Sequence, residues 1–268
     1  MTDYFRPLVQ IGPARPDTAV SLAGGWGWFT HAEVLSRSTP PRVVPAADIP
    51  ASVMARLTAP RPAMAGLTLD RPRIMGILNT TPDSFSDGGQ HNAVPDALRV
   101  AQEMVAAGAD ILDIGGESTR PGADFVPVSE EITRTAPVIA ALRGAGLHTP
   151  ISIDTRKAAV AEAAVSAGAN LVNDVSGFTF DPALGPLCQK LALPVCVMHA
   201  QGDPATMHLD PQYDNVLLDV FDALERQISM LEASGIPRGA ILADPGIGFG
   251  KTQDHNLALL ARLSLFHV

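Results

Sequence analysis

Six short apolar runs, each giving way to polar residues, constrain this chain more than any other feature of its sequence. The runs fall at 74–78, 111–114, 151–153, 171–172, 195–198 and 241–243. At or just past their ends stand Asn79, Asp113 with Glu117, Asp154, Asn173 with Asp174, His199 and Asp244. Between the runs lie segments of helical period. Ala97, Ala101, Met104 and Gly108 share one face, and so do Leu217, Phe221, Leu224, Ile228 and Leu231. Two junctions are alike, AAGADILDI at 106–114 and SAGANLVND at 166–174. In each a glycine is placed to cap a helix in the left-handed region before the next run. The echo marks repeated βα units. Strands alternating with helices make a parallel sheet with right-handed crossovers.

Two parallel architectures compete. A doubly wound sheet usually opens with a glycine-rich G-x-G-x-x-G loop at its first strand, and the loop here, DSFSDGG at 83–89, has no such pattern. Polar residues at the end of nearly every run instead predict a ring of side chains around one mouth. That is the C-terminal face of a (β/α)8 TIM barrel. A chain of 268 residues suits one such barrel, which takes about 250 residues and eight strands. Only six βα units are readable, and the sequence ends within the sixth helical segment. The expectation is an incomplete (β/α) barrel over 73–268, missing its last strands. Residues 1–72 carry many prolines, the stretch GGWGW at 24–28 and one helical segment near 49–58. They read as an N-terminal extension or small subdomain.

The net charge of −9 argues against nucleic acid or an anionic membrane surface as partner. No apolar run approaches the ~20 residues of a membrane span, and no secretory leader pattern opens the chain. Cys188 and Cys196 make neither a disulfide framework nor a metal-ligand spacing, so a reducing cytoplasm is expected.

Three constellations carry chemistry. ISIDTRK at 151–157, NDVSG at 173–177 and ADPGIGFGK at 243–251 bring Asp154, Asn173 and Asp244 to one mouth. Each aspartate alone reads equally as a helix cap, and Thr155 is expected to cap the helix that follows. Together, two carboxylates and an amide suit a flat nitrogen heterocycle bearing an amino group. Met198 is expected to cover its face. The glycines around Phe249 let backbone approach a ligand. GGESTRPGA at 115–123 offers Thr119 and Arg120, a pair suited to phosphate or diphosphate. His199 reads more simply as a satisfied core histidine than as a general base, and Glu130 and Glu131 as complements to a helix start.

In sequence order, GILNTTPDSFSDGG, ADILDIGGESTRPGA, ISIDTRK, AGANLVNDVSG, VCVMHAQGDP and ILADPGIGFGKT resemble the motifs of the dihydropteroate synthase family of pterin-binding enzymes. The resemblance covers 73–268. It implies condensation of 6-hydroxymethyl-7,8-dihydropterin diphosphate with p-aminobenzoate, assisted by Mg²⁺, giving dihydropteroate and diphosphate for folate synthesis, with sulfonamides as competitors. It implies a pterin site of Asp154, Asn173, Asp244, Met198 and Gly248. Diphosphate and p-aminobenzoate fall to Asn79, Phe85, Thr119, Arg120, Pro121 and Phe249, with Asn79 also the metal residue. Asp87, Arg120 and Asp244 are implied as catalytic, Asp87 facing the cation left at the pterin methylene as diphosphate departs. The family's late Ser-Arg-Lys and Arg-x-His motifs are absent from the chain. The expectations are therefore a truncated chain, weakly active or inactive alone, and a homodimer in the full-length form. The rival readings are a methyltetrahydrofolate-binding methyltransferase domain and a non-catalytic pterin-binding remnant. The first has no use for NTTPDSFSDGG and STRPG.

Overall fold

Alternation within the apolar runs builds a parallel sheet with two unlike faces. The computed structural model describes residues 3–81, 93–118, 125–202, 207 and 209–268. Five short strands come first: β1 (Tyr4–Pro7), β2 (Val20–Ser21), β3 (Trp28–Phe29), β4 (His31–Leu35) and β5 (Arg42–Pro45), followed by helix α1 (Ala51–Thr58). Then comes the repeating part: β6 (Met75–Asn79), α2 (Ala93–Ala106), β7 (Ile111–Gly115), α3 (Val128–Gly144), β8 (Ile151–Asp154) and α4 (Ala158–Ala167). It continues through β9 (Leu171–Asp174), α5 (Leu184–Lys190), β10 (Val195–Met198), α6 (Val216–Ala233), β11 (Ile241–Asp244) and α7 (Gln253–Ala261), closing on a 3₁₀ turn at Leu263–His267.

Strands β6 to β11 form one six-stranded sheet in sequential order, with every neighbouring pair parallel. This is the βα-repeat architecture expected from the sequence. The sheet does not close, because β6 and β11 each have one strand neighbour among the described residues. The expected helix faces pack as read. Ala97, Ala101, Leu217, Leu224, Ile228 and Leu231 are buried in the main core, with Phe221 and Met104 against it. Gly168 ends α4 at φ 119°, and a Cβ there would stand 2.7 Å from the Arg143 side chain. The AGA junction therefore needs glycine for both its backbone and the close approach of α3.

A register row crosses five strands: Asn79, Gly115, Asp154, Asn173 and Cys196 are successive partners. With period 2 along each strand, this row and its neighbours look into the lumen. Leu112, Ile114, Ile153, Val172, Val195 and Val197 look outward into the core beneath the helices. The lumen is graded along its axis. At the N-terminal ends of the strands, Ile111, Leu171 and Cys196 pack with Met64, and Met75, Leu242, Leu67 and Leu69 lie against them. Residues 64–67 form a small turn closed by two backbone hydrogen bonds between Met64 and Leu67, both 2.8 Å. An apolar floor thus seals one end, and polar side chains are left to the other.

Residues before this floor build a second core around Phe5, Phe29, Ala32, Val34 and Leu57, under an antiparallel sheet ordered β1-β4-β5. It rests on the outside of the barrel. Tyr4 donates to Asp222 of α6 at 3.0 Å, and Arg37 pairs with Asp219 and Asp222, each at 2.7 Å. Ser264 donates to the Pro7 carbonyl.

Candidate functional site

The polar end of the lumen is built by residues that stop strands. Asp154 is the last residue of β8, with Asn173 as its register partner on β9. Met198 and Asp244 are partners at the ends of β10 and β11. Met198 is buried, and Asp154, Asn173 and Asp244 are half-buried. The fold therefore brings the four expected pterin-wall side chains to one rim. Asp174, beside Asn173, takes a different part. Its carboxylate accepts the Ser176 and Phe178 amides at 2.7 and 2.8 Å and shapes the loop after β9.

One member of the mouth lies within a strand, two residues before the end of β7. Asp113 is buried, and its Oδ2 accepts from Asn173 Nδ2 at 3.0 Å. Its Oδ1 has no hydrogen-bond partner, and neither has Oγ of Ser152, its register neighbour. Burial lifts the Asp113 carboxyl above its ordinary range, and the nearby Ser152 hydroxyl and Asn173 amide oppose that shift. Asp154 is held well above the ordinary carboxylate value, first by burial and then by the negative field of Asp113, Asp174, Glu131 and Glu117. The lumen thus holds carboxyl groups with unmet hydrogen-bonding capacity, which a ligand rich in N–H donors would satisfy.

The turn after β11 completes the rim. Asp244 Oδ1 accepts from the Gly246 amide at 2.7 Å. Gly246 sits at φ 66° with the His199 carbonyl where a Cβ would stand, so only glycine fits. Gly248 is exposed, with no atom within 4 Å of where a side chain would begin, and its amide donates to Asn256 Oδ1 at 2.8 Å. Phe249 is half-buried next to it. Lys251 pins this turn from behind. Its Nζ donates to the carbonyls of Gly246 at 2.8 Å and Phe249 at 2.9 Å, and to Nδ1 of His199 at 3.0 Å. His199 is therefore a neutral imidazole with its proton on Nε2. Burial and the Lys251 charge lower its pKa to about 4. It is a packed, hydrogen-bonded histidine, as the sequence reading preferred. Burial also lowers Lys251 to about 8, partly opposed by Asp244.

Asn79 is exposed at the tip of β6, opposite Gly115. A Cβ on Gly115 would stand 3.5 Å from the Asp154 carboxylate and 3.6 Å from Asn79 Oδ1, so both oxygens lie beside this glycine. Among the described residues, no group of three or more His, Cys, Asp or Glu is arranged to hold a metal ion. Phe85, Asp87, Thr119, Arg120 and Pro121 lie outside the described residues.

Beside the mouth is a second charged cluster, and two sequence expectations change here. Thr155 does not cap α4. It donates to Glu131 Oε1 at 2.6 Å, and the free Ala158 amide of α4 is met by Asp181 Oδ2 at 2.8 Å. Glu131 lies in the first turn of α3 but is fully buried and binds Lys157 Nζ at 2.6 Å. Lys157 also donates to the Val126 carbonyl at 2.6 Å and lies 3.1 Å from Glu117 Oε1. Glu117 takes Arg156 Nε at 3.1 Å and the Val126 amide at 3.0 Å. Burial pushes Glu117 up, but Arg156, Val126 and Lys157 outweigh it and hold its carboxyl below the ordinary range.

Residues 75–268 match the model of the family described as pterin binding enzyme. The dihydropteroate synthase of Synechocystis sp. is 46% identical over 187 residues, covering 70% of this chain and 64% of that protein. The chain thus spans a little under two thirds of that relative's length. A crystal structure of the Yersinia pestis dihydropteroate synthase with a sulfonamide drug complex superposes with a TM-score of 0.71 at 47% identity, covering 77% of this chain and 75% of that one. The Xanthomonas albilineans dihydropteroate synthase with 4-aminobenzoic acid gives 0.70 at 48% identity, covering 76% and 72%.

Proposed function

The chain belongs to the pterin-binding enzyme family, and from that premise we propose that it acts as a dihydropteroate synthase. It would condense 6-hydroxymethyl-7,8-dihydropterin diphosphate with p-aminobenzoate, releasing diphosphate and forming dihydropteroate. The observation that carries this reading is the meeting of Asp154, Asn173, Asp244 and Met198 around a lumen whose Asp113 keeps an unpartnered oxygen. The pterin's amino group and ring N–H match the carboxylates, Asn173 supplies both a donor and an acceptor, and Met198 packs on the ring face. Relatives of this chain carry the same reading, among them the enzymes solved with 4-aminobenzoic acid and with 7,8-dihydropteroate.

Chemistry follows from charge. The pterin methylene becomes cationic as the C–O bond to diphosphate breaks, the aromatic amine attacks that carbon, and one N–H proton of the new ammonium passes to the departing diphosphate or to water. Asp87 is assigned to the cation, Arg120 and Thr119 to the diphosphate, and Phe85, Pro121 and Phe249 to the p-aminobenzoate ring. Mg²⁺ would be held at the Asn79 corner, where the amide oxygen and the Asp154 carboxylate both lie beside Gly115. This ion commonly takes one or two protein oxygens and leaves the rest to phosphates and water. When bound it supplies neutralisation of the leaving diphosphate. A cytoplasmic location and a homodimer in the full-length form belong to the same reading. Among the described residues, no helix is long and apolar enough to cross a membrane.

The test is to supply both substrates with Mg²⁺ and measure dihydropteroate and diphosphate together. Equal amounts of the two products are expected. Pterin binding without diphosphate release would favour a non-catalytic pterin binder, and absence of pterin binding would overturn the reading.

A further inference from the structure

Among the described residues, no side chain of the ion cluster beside the mouth bonds to a side chain assigned to substrate, yet the cluster joins the ends of the segments after β7 and β8. Glu117 and Val126 bracket residues 118–125. The Val126 amide is bound by Glu117 and its carbonyl by Lys157, so both bracketing residues are tied to one ammonium. Lys157 stands three residues beyond Asp154. Between them, Thr155 is fixed twice, through its hydroxyl to Glu131 and through its amide to the Asn173 carbonyl at 3.0 Å. The ammonium has three N–H bonds and meets three acceptors: Val126 O, Glu131 Oε2 and Glu117 Oε1. Aromatic rings flank the cluster. Phe125 lies 4.4 Å from Lys157 Nζ, and Arg156 lies 4.0 Å over Phe180. Lys157, Glu131 and Glu117 are buried, so their mutual pairing is not diluted by water.

We propose that Lys157 is a positioning residue, whose ammonium holds the rim after β7 in register with the rim after β8. The inference rests on the function proposed above. There the pterin lies on Asp154 and Asn173, and the amine and diphosphate come from the side of β6 and β7. Attack on the methylene requires the two reacting atoms about 3–3.5 Å apart, and a misplacement of about 1 Å costs on the order of 10²-fold in rate. The two substrates rest on different strand ends, so their meeting distance depends on what ties those ends together. Lys157 makes that tie with a group that touches neither substrate.

Three forms of the protein test this: wild type, Lys157→Met, and Lys157→Met combined with Glu131→Leu. The double variant replaces the buried pair by apolar side chains and so restores packing without restoring the tie to Val126. Titration with 6-hydroxymethylpterin gives the pterin affinity, and its stoichiometry gives the folded fraction. Steady-state turnover with p-aminobenzoate gives kcat and KM, and hydrogen exchange reports the Val126 amide. The double variant is expected to match wild type in unfolding midpoint and pterin affinity. Per folded molecule, its kcat should fall on the order of 10²-fold, with little change in KM, and its Val126 amide should exchange faster. A double variant with wild-type kcat would show that Lys157 serves packing alone and would overturn the proposal. Wild type that neither binds pterin nor turns over would overturn the functional reading itself, and this role with it.

Discussion

Two buried clusters of charge lie side by side on the polar end of this barrel, and they are balanced differently. In the rim cluster, Glu117 and Glu131 face Lys157 and Arg156, and the backbone of Val126 meets what capacity remains. In the mouth cluster, the Asn173 amide donates to Asp113 Oδ2, and Asp113 Oδ1 is left over, with Asp154 on the neighbouring strand end. Desolvation acts on both. The rim cluster answers it with pairing, and Glu117 is held below its ordinary pKa. Among the described residues no cation pairs with Asp113 or Asp154, and both carboxyls are lifted. A balanced buried cluster is scaffold, whereas an unbalanced one holds polar capacity that a ligand completes.

That contrast breaks most visibly at Lys157. Removing it by Lys157→Met leaves the buried Glu131 without its cation and Glu117 with Arg156 alone, and a loss of about 3–5 kcal/mol in unfolding free energy is expected by urea titration. Folding at wild-type stability would mean the cluster is hydrated and the contrast false. The mouth should respond in the opposite sense. Asp154 has a raised folded-state pKa, so its contribution to stability is present below its unfolded pKa and is lost as pH rises through the folded value. At neutral pH it therefore opposes folding. Asp154→Asn should raise the melting temperature by about 2–4 °C, as about 1 kcal/mol does in a chain of this size. The same change should weaken pterin binding at least tenfold, a charged hydrogen bond contributing about 1.5–3 kcal/mol. A variant both less stable and still able to bind would place Asp154 with the scaffold.

Two smaller effects sharpen the comparison. His199 has its pKa lowered to about 4, so the unfolded chain binds the extra proton first. Stability should fall as pH drops from about 6.5 toward 4, and His199→Asn, which keeps an acceptor for Lys251, should flatten that slope in pH-dependent melting curves. The smallest effect is expected at the N-terminal contact. Arg37 is 41% exposed, and Arg37→Ala should cost about 1 kcal/mol or less, shrinking further in high salt.

Much of this was legible in the sequence. The order of six strands followed from apolar runs alternating with helical faces, and the polar strand ends predicted where Asp154, Asn173, Met198 and Asp244 would meet. What escaped had physical reasons. Asp113 was read with the polar run ends, but nothing in the run announces that one of its oxygens is buried without a partner. Glu131 and Lys157 pair across 26 residues, and no local pattern announces such a partner. The same holds for Thr155, whose cap was preempted by Glu131 once α3 came alongside. Strands of two to five residues before position 46 are too short to show a period, and the floor at 64–69 is recognisable only once the sheet stands above it.

The central claim is that the mouth holds carboxyl groups awaiting a donor-rich ring, and proton uptake or release tests it most directly. Calorimetric titration of the protein with 6-hydroxymethylpterin, in buffers of different ionisation enthalpy near pH 6, counts protons exchanged on binding. Asp154 carries a proton in the free site more often than an ordinary carboxyl would, and it must ionise to accept the ring's N–H groups. The account predicts net proton release, abolished in Asp154→Asn. Tight binding with no proton exchange, or release unchanged in that variant, would contradict it.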